Sequence, residues 1–198
     1  VTIPISYILV IILGPILGAI ADFSGAKKKF LFGSYFLCVF FTAALFFVGK
    51  GDVLLAIIFI ILSNVGFAAG ENFASAFLPE IATQKNMGKI SGYAWSFGYW
   101  GGLLALGVAL AIILSFKGAP GSTIPVRLTT LSTALFFYLG AIPTFLFLKE
   151  RKSKEALPKG TSYLKIGFQR LYHTYKQIKL FKELVKFLGT FLIFNCKF

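Results

Sequence analysis

The sequence predicts an all-α integral membrane protein with about five complete transmembrane helices and the start of another. Three observations carry this. Hydrophobic residues make up 57% of the 198 residues and charged residues only 14%, against about 25% charge in ordinary soluble domains. The mean hydropathy is +0.82. The apolar residues come in successive runs, several near the roughly 20 residues that a helix needs to cross a bilayer, and the polar residues gather between them. The 24 Phe and 20 Gly suit packed membrane helices, in which glycine is more frequent than in soluble ones.

In chain order, the first run covers about Ile3 to Ala21. Pro4 is tolerated in a first turn, whose N–H groups lack partners anyway, and Pro15 predicts a kink. The second run extends from about Phe30 to Val48 and stops at Gly49-Lys50-Gly51-Asp52, a short turn. The third extends from about Val53 to Leu78, is long enough to cross with tilt, and is expected to end at Pro79. A polar loop is expected over Glu80 to Lys89 and a fourth run from about Ile90 to Phe116. Gly and Pro mark 117–122 as a loop. The fifth run spans about Leu128 to Leu148, with Pro143 near its end, and Lys149 to Gly160 reads as a charged linker. A last apolar run starts near Leu184 and continues to Phe198. The chain starts without Met close to one apolar run and stops inside another, which predicts a fragment.

The formal charge of +13 resides in the short polar stretches. Basic segments beside a membrane, facing anionic lipid, explain it better than nucleic-acid binding. Alternation puts Lys27–Lys29, Lys85 with Lys89, and Lys149–Lys154 on one side, and Lys50, Lys117 and Arg127 on the other. The first side is richer in Lys and Arg, so the positive-inside rule makes it cytoplasmic. Cys38 and Cys196 are too far apart in sequence to suggest metal spacing or a disulfide framework. The chain carries no His-Glu metal motif, nucleophile elbow or P-loop. The expectation is a protein that is not an enzyme, with no cofactor, no metal and no ATP drive in these residues.

After Pro158 and Gly160, the apolar residues Leu164, Phe168, Leu171, Tyr175 and Ile178 repeat at spacings of four and three, which predicts an amphipathic helix on the inner membrane surface. His173, the single histidine, has no acid or cysteine beside it in sequence and reads as a solvated surface residue.

The third run carries the most informative group. Helical spacing sets Asn64, Ala68, Glu71 and Ser75 on one face, with Asn72 beside it. An ionisable side chain in a span costs about 2.5 kcal/mol on insertion scales and is usually turned inward. Glu71 therefore reads either as a cavity or coupling group or as a hydrogen-bonded tie between helices. In the fourth run Gly88 and Gly92 are four apart, as are Gly98 and Gly102, which predicts a small-residue seam for close helix contact; Gly14 and Gly18 repeat the spacing in the first run. Trp95 and Tyr99 share a helical face, to line a cavity or to pack on neighbours.

The stretch from Gly14 to Lys29 closes one run and opens the next. Gly18, Asp22, Gly25 and Lys27 fit a Gly-x-x-x-Asp pattern followed by glycine and basic residues, which resembles the signature loop between the second and third helices of major facilitator superfamily transporters. Phe23 and Ala26 stand where that pattern has basic residues, and Lys28 and Lys29 extend its basic end. Ala76-Phe77-Leu78-Pro79-Glu80-Ile81-Ala82, with Ser91, Gly98, Tyr99, Gly101 and Gly102, is similar to the vacuole-effluxer-like branch, related to the autophagy-linked vacuolar amino-acid exporter. Ala94 replaces a glycine of that pattern.

The resemblance implies a partial major-facilitator helix bundle: residues 1–148 as helices two to six, 149–183 as a cytosolic linker, and 184–198 as the truncated start of helix seven. It implies secondary active transport of small solutes, amino-acid efflux among them, with a coupling proton and the C-terminal half of the transporter as partners alongside membrane lipids. It implies the plasma (inner) membrane in a bacterium or the vacuolar membrane in a fungus. Asp22 is implied as a gating residue, contacting the other half at the cytosolic gate. The alternative reading is a non-transporting membrane scaffold or an inactive fragment.

Overall fold

The computed structural model describes residues 2–23, 26–49, 51–116 and 123–148, together with scattered single positions between 162 and 190. Among these, the long helices are α1 (Thr2–Phe23), α2 (Lys27–Ala44), α3 (Val53–Ile81), α4 (Met87–Ser115) and α5 (Ile124–Phe147), and a 3-10 turn over Leu45–Phe47 extends α2. Extended α2, α3, α4 and α5 are each long and apolar enough to cross a membrane. The 22 residues of α1 rise about 33 Å at 1.5 Å each, against a hydrocarbon core of about 30 Å. The backbone of α1 remains helical through Pro15.

The helix α3 organises the bundle. It packs most extensively on α2 and next on α1, while α2 also holds α5. The helix α4 leans on α5 and touches α3 only slightly. On α3 the residues Gly66, Ala69, Phe73 and Phe77 fall at helical spacing on one buried stripe. With Leu31 of α2, the last three form the core, and Phe30 stacks on Phe73 with ring centroids 5.8 Å apart. At Gly66 the backbones come closest: a Cβ there would lie 2.7 Å from Leu37 Cδ2, 2.8 Å from the Cys38 nitrogen and 2.9 Å from the Ser34 carbonyl oxygen. Beside it, the Thr42 and Ser63 hydroxyls are 2.7 Å apart across the same interface. A small residue permits the approach and a polar pair fastens it, as expected where neighbouring lipid is as apolar as the helices.

Several boundaries differ from the sequence reading. Pro79 does not end α3, which continues to Ile81. Proline removes one ladder bond, a small loss at a helix end, and the last turns are anchored by buried Phe77 and by an ion pair of Glu80. Glu80, Gly88 and Lys89 are therefore helical, and the loop shrinks to residues 82–86. Lys27, Lys28 and Lys29 form the first turn of α2 instead of a turn before it. The start of α5 moves forward to Ile124, with proline in its first turn, where the missing N–H costs nothing. The short turn at 49–52 stands: Gly51 has φ +104°, a conformation that glycine adopts without strain, and the Asp52 carboxylate accepts the Gly49 N–H at 3.1 Å.

The charged linker over 149–160 lies outside the described residues, as does most of the last apolar run. Within the expected amphipathic stretch Lys165, Phe168, Gln169, Tyr172, His173 and Lys176 are described, and all are helical and exposed. The Lys176 ammonium sits 4.9 Å over the Tyr172 ring.

Candidate functional site

Two groups of functional candidates are described, one on α3 and α4 and one at the lysine end of the bundle. On α3 the stripe of Asn64, Ala68, Glu71 and Ser75 divides. Asn64 Nδ2 donates to Ser6 Oγ at 2.5 Å, and Ser6 is 1% exposed, so this amide serves the contact between α1 and α3. One helical turn and more away, Glu71, Asn72 and Ser75 are exposed on the surface of the described chain. Ser75 Oγ donates to the backbone carbonyl of Glu71 at 2.8 Å. The Glu71 carboxylate has no hydrogen-bond or ion-pair partner among the described residues.

On α4, Trp95 and Tyr99 face each other with ring centroids 6.0 Å apart and are otherwise exposed. Among the described residues no hydrogen bond or ring contact joins them to Glu71. A Cβ built at Gly14, Gly18, Gly88, Gly92, Gly98 or Gly102 would meet nothing within 4 Å among the described residues. The seam of α4 thus has no partner there, and the close approach within the bundle is made by Gly66. The spacing of Gly66 and Gly70, four apart on α3, was the available sequence signal.

At the lysine end three helix termini are fastened together. Lys27 Nζ lies 2.6 Å from Glu80 Oε1, with both side chains largely buried. Lys28 Nζ donates to the Leu148 carbonyl at 2.7 Å. The cause is electrostatic. Three cations on the first turn of α2 oppose the positive end of its dipole. A carboxylate at the end of α3 and the Leu148 carbonyl at the C-terminus of α5 offset that. The same contacts put the start of α2 and the ends of α3 and α5 on one side. At the other end Arg127 Nε donates to the Val48 carbonyl at 3.1 Å, and its guanidinium lies 5.7 Å from the Phe46 ring. The alternation read from the sequence is therefore present in the packing of α2, α3 and α5. Sequence reasoning missed Glu80 as the partner of Lys27 because it placed Glu80 in a loop. Gly25 and the Asp22 side chain lie outside the described residues; the backbone at Asp22 is helical.

The profile of the vacuole effluxer Atg22-like family matches residues 1–88 and 83–198. The chain belongs to that family. It is 33% identical over 197 residues to an uncharacterized MFS-type transporter, YxiO, of Bacillus subtilis (strain 168), covering 98% of this chain and 45% of that protein. The chain thus spans a little under half the length of this curated relative. No solved structure matches it. The long apolar helices and the family together make this a multi-pass membrane protein of the major facilitator type.

Proposed function

We propose that the whole protein is a secondary active transporter of small solutes, with amino acids as the first substrate class to test. The observation that carries this reading is the family match across essentially the entire chain, in which a bundle of long apolar helices accompanies the basic signature stretch. Glu71 is the residue we assign to coupling. It is an ionisable group in a membrane helix, left without a partner among the described residues, and such a group is usually matched by a cavity, an ion or another helix. Protonation of its carboxylate would remove the charge before the helix bundle reorients, which gives a proton a role in the cycle. Trp95 and Tyr99 are assigned to the solute cavity, and the lysine end to the cytoplasm.

The test is flux of labelled amino acids by the full-length protein in proteoliposomes under an imposed proton gradient. The expected result is gradient-driven flux that Glu71→Gln uncouples from the proton gradient. Absence of flux for every solute and gradient tried, with the protein folded, would overturn transport. Parent-like, gradient-driven flux of Glu71→Gln would overturn the coupling role alone.

A further inference from the structure

We propose that the groove between α2 and α5 is a binding site for one anionic phospholipid, its acyl chain lying between the helices and its phosphate on Lys28 and Lys29. The groove is an open apolar trough of about 440 Å³. Phe32, Tyr35 and Phe36 line it from α2, and Tyr138, Ile142 and Phe145 from α5. It is distinct from the contact of α2 with α3, as the register of α2 makes clear. Lys27, Leu31, Ser34 and Cys38 form the stripe towards α3, where Lys27 meets Glu80 and a Cβ at Gly66 would meet Ser34 and Cys38. Lys28 continues into Phe32, Tyr35 and Val39, the stripe that lines the groove, and Lys29 continues into Phe36, Phe40 and Ala43 on its rim.

Charge and length both select the occupant. Lys28 spends one N–H on the Leu148 carbonyl, and an ammonium has three. Lys29 is exposed and has no ion-pair partner among the described residues. Two cations therefore stand at the mouth of an apolar groove, the complement of a phosphate joined to a hydrocarbon tail. From Phe32 to Ala43 the groove descends about 16 Å at 1.5 Å per residue, close to the depth of one leaflet of a hydrocarbon core about 30 Å thick. Basic pockets between membrane helices recognise anionic headgroups on this principle.

The site is tested by native mass spectrometry of the full-length protein, delipidated in non-ionic detergent and titrated with phosphatidylglycerol or with phosphatidylcholine of the same chains. Phosphatidylglycerol is expected to bind more tightly, and Lys29→Gln to weaken it about fivefold, the equivalent of about 1 kcal/mol per lysine at a membrane surface. Ile142→Trp fills the groove and leaves the lysines in place; it is expected to lower retention of both lipids. Leu146→Trp, at a position 73% exposed, does the same at the mouth and guards against misfolding of the first variant. Equal binding of the two lipids, unaffected by Lys29→Gln, would mean ordinary annular contact and overturn the proposal. Sensitivity to Lys29→Gln with indifference to both tryptophans would mean headgroup adsorption outside the groove, which also overturns it. So would a photo-cross-link from a benzoyl-phenylalanine at Phe36 to another part of the protein.

Discussion

Replacing Gly66 by Ala tests the packing of α3 on α2 with a single methyl group. The added Cβ would meet Leu37 Cδ2 at 2.7 Å, the Cys38 nitrogen at 2.8 Å and the Ser34 carbonyl oxygen at 2.9 Å. Leu37 can rotate away, but the other two atoms are backbone and move only with α2. Ordinary contact begins near 3.5 Å, so the helices must separate by about 0.7 Å locally. That stretches the 2.7 Å contact of Thr42 with Ser63 and loosens the stacking of Phe30 on Phe73. Overpacking of this kind costs about 1–3 kcal/mol. The usual gain of up to about 1 kcal/mol for Gly→Ala in a helix is largely absent, because a membrane helix stays helical when its neighbours leave it. The net expectation is a loss of about 1–3 kcal/mol, read by reversible unfolding of the full-length protein in mixed micelles. Gly33→Ala is the control: it lies on α2, and a Cβ there meets nothing within 4 Å. If Gly66→Ala is as stable as Gly33→Ala, α2 and α3 are not in close contact at this point and the reasoning fails.

Three further outcomes are expected. Lys27→Gln should destabilise the bundle by about 1–3 kcal/mol, between the surface and buried limits for ion pairs, since both side chains are largely buried; the swap Lys27→Glu with Glu80→Lys should recover part of it in a double-mutant cycle, and additive losses would mean that the pair does not interact. Asp22→Asn should slow flux by shifting the gate equilibrium while solute affinity, measured with the conformation locked by a binder, stays nearly unchanged; abolished binding in a folded protein would make Asp22 a solute ligand. Ala26→Cys should be labelled from the cytoplasmic side only, as the positive-inside rule predicts for the lysine-rich end; labelling from outside intact cells would reverse the topology.

The sequence by itself determined the class of protein, the number and approximate place of the spans and the alternation of their ends. These depend on local properties. A helix that crosses lipid must satisfy its own backbone and be apolar for about 20 residues, and both conditions can be read along a chain. The family was equally legible, because the signature stretch and the Ala76–Ala82 segment are contiguous. Faces and partners were not legible. In lipid, hydrophobicity does not distinguish the inside of a bundle from its outside, so Gly98 and Gly102 looked as suited to close contact as Gly66. Only the packing selected Gly66. The stripe from Asn64 to Ser75 looked like one surface, yet its first member is engaged by Ser6 from a helix 58 residues earlier and Glu71 is left exposed. Lys27 found its carboxylate 53 residues away, because Pro79 did not stop α3 and the helix carried Glu80 back to the start of α2. Such pairings depend on the lengths and tilts of two helices at once, and the tertiary structure alone decides them.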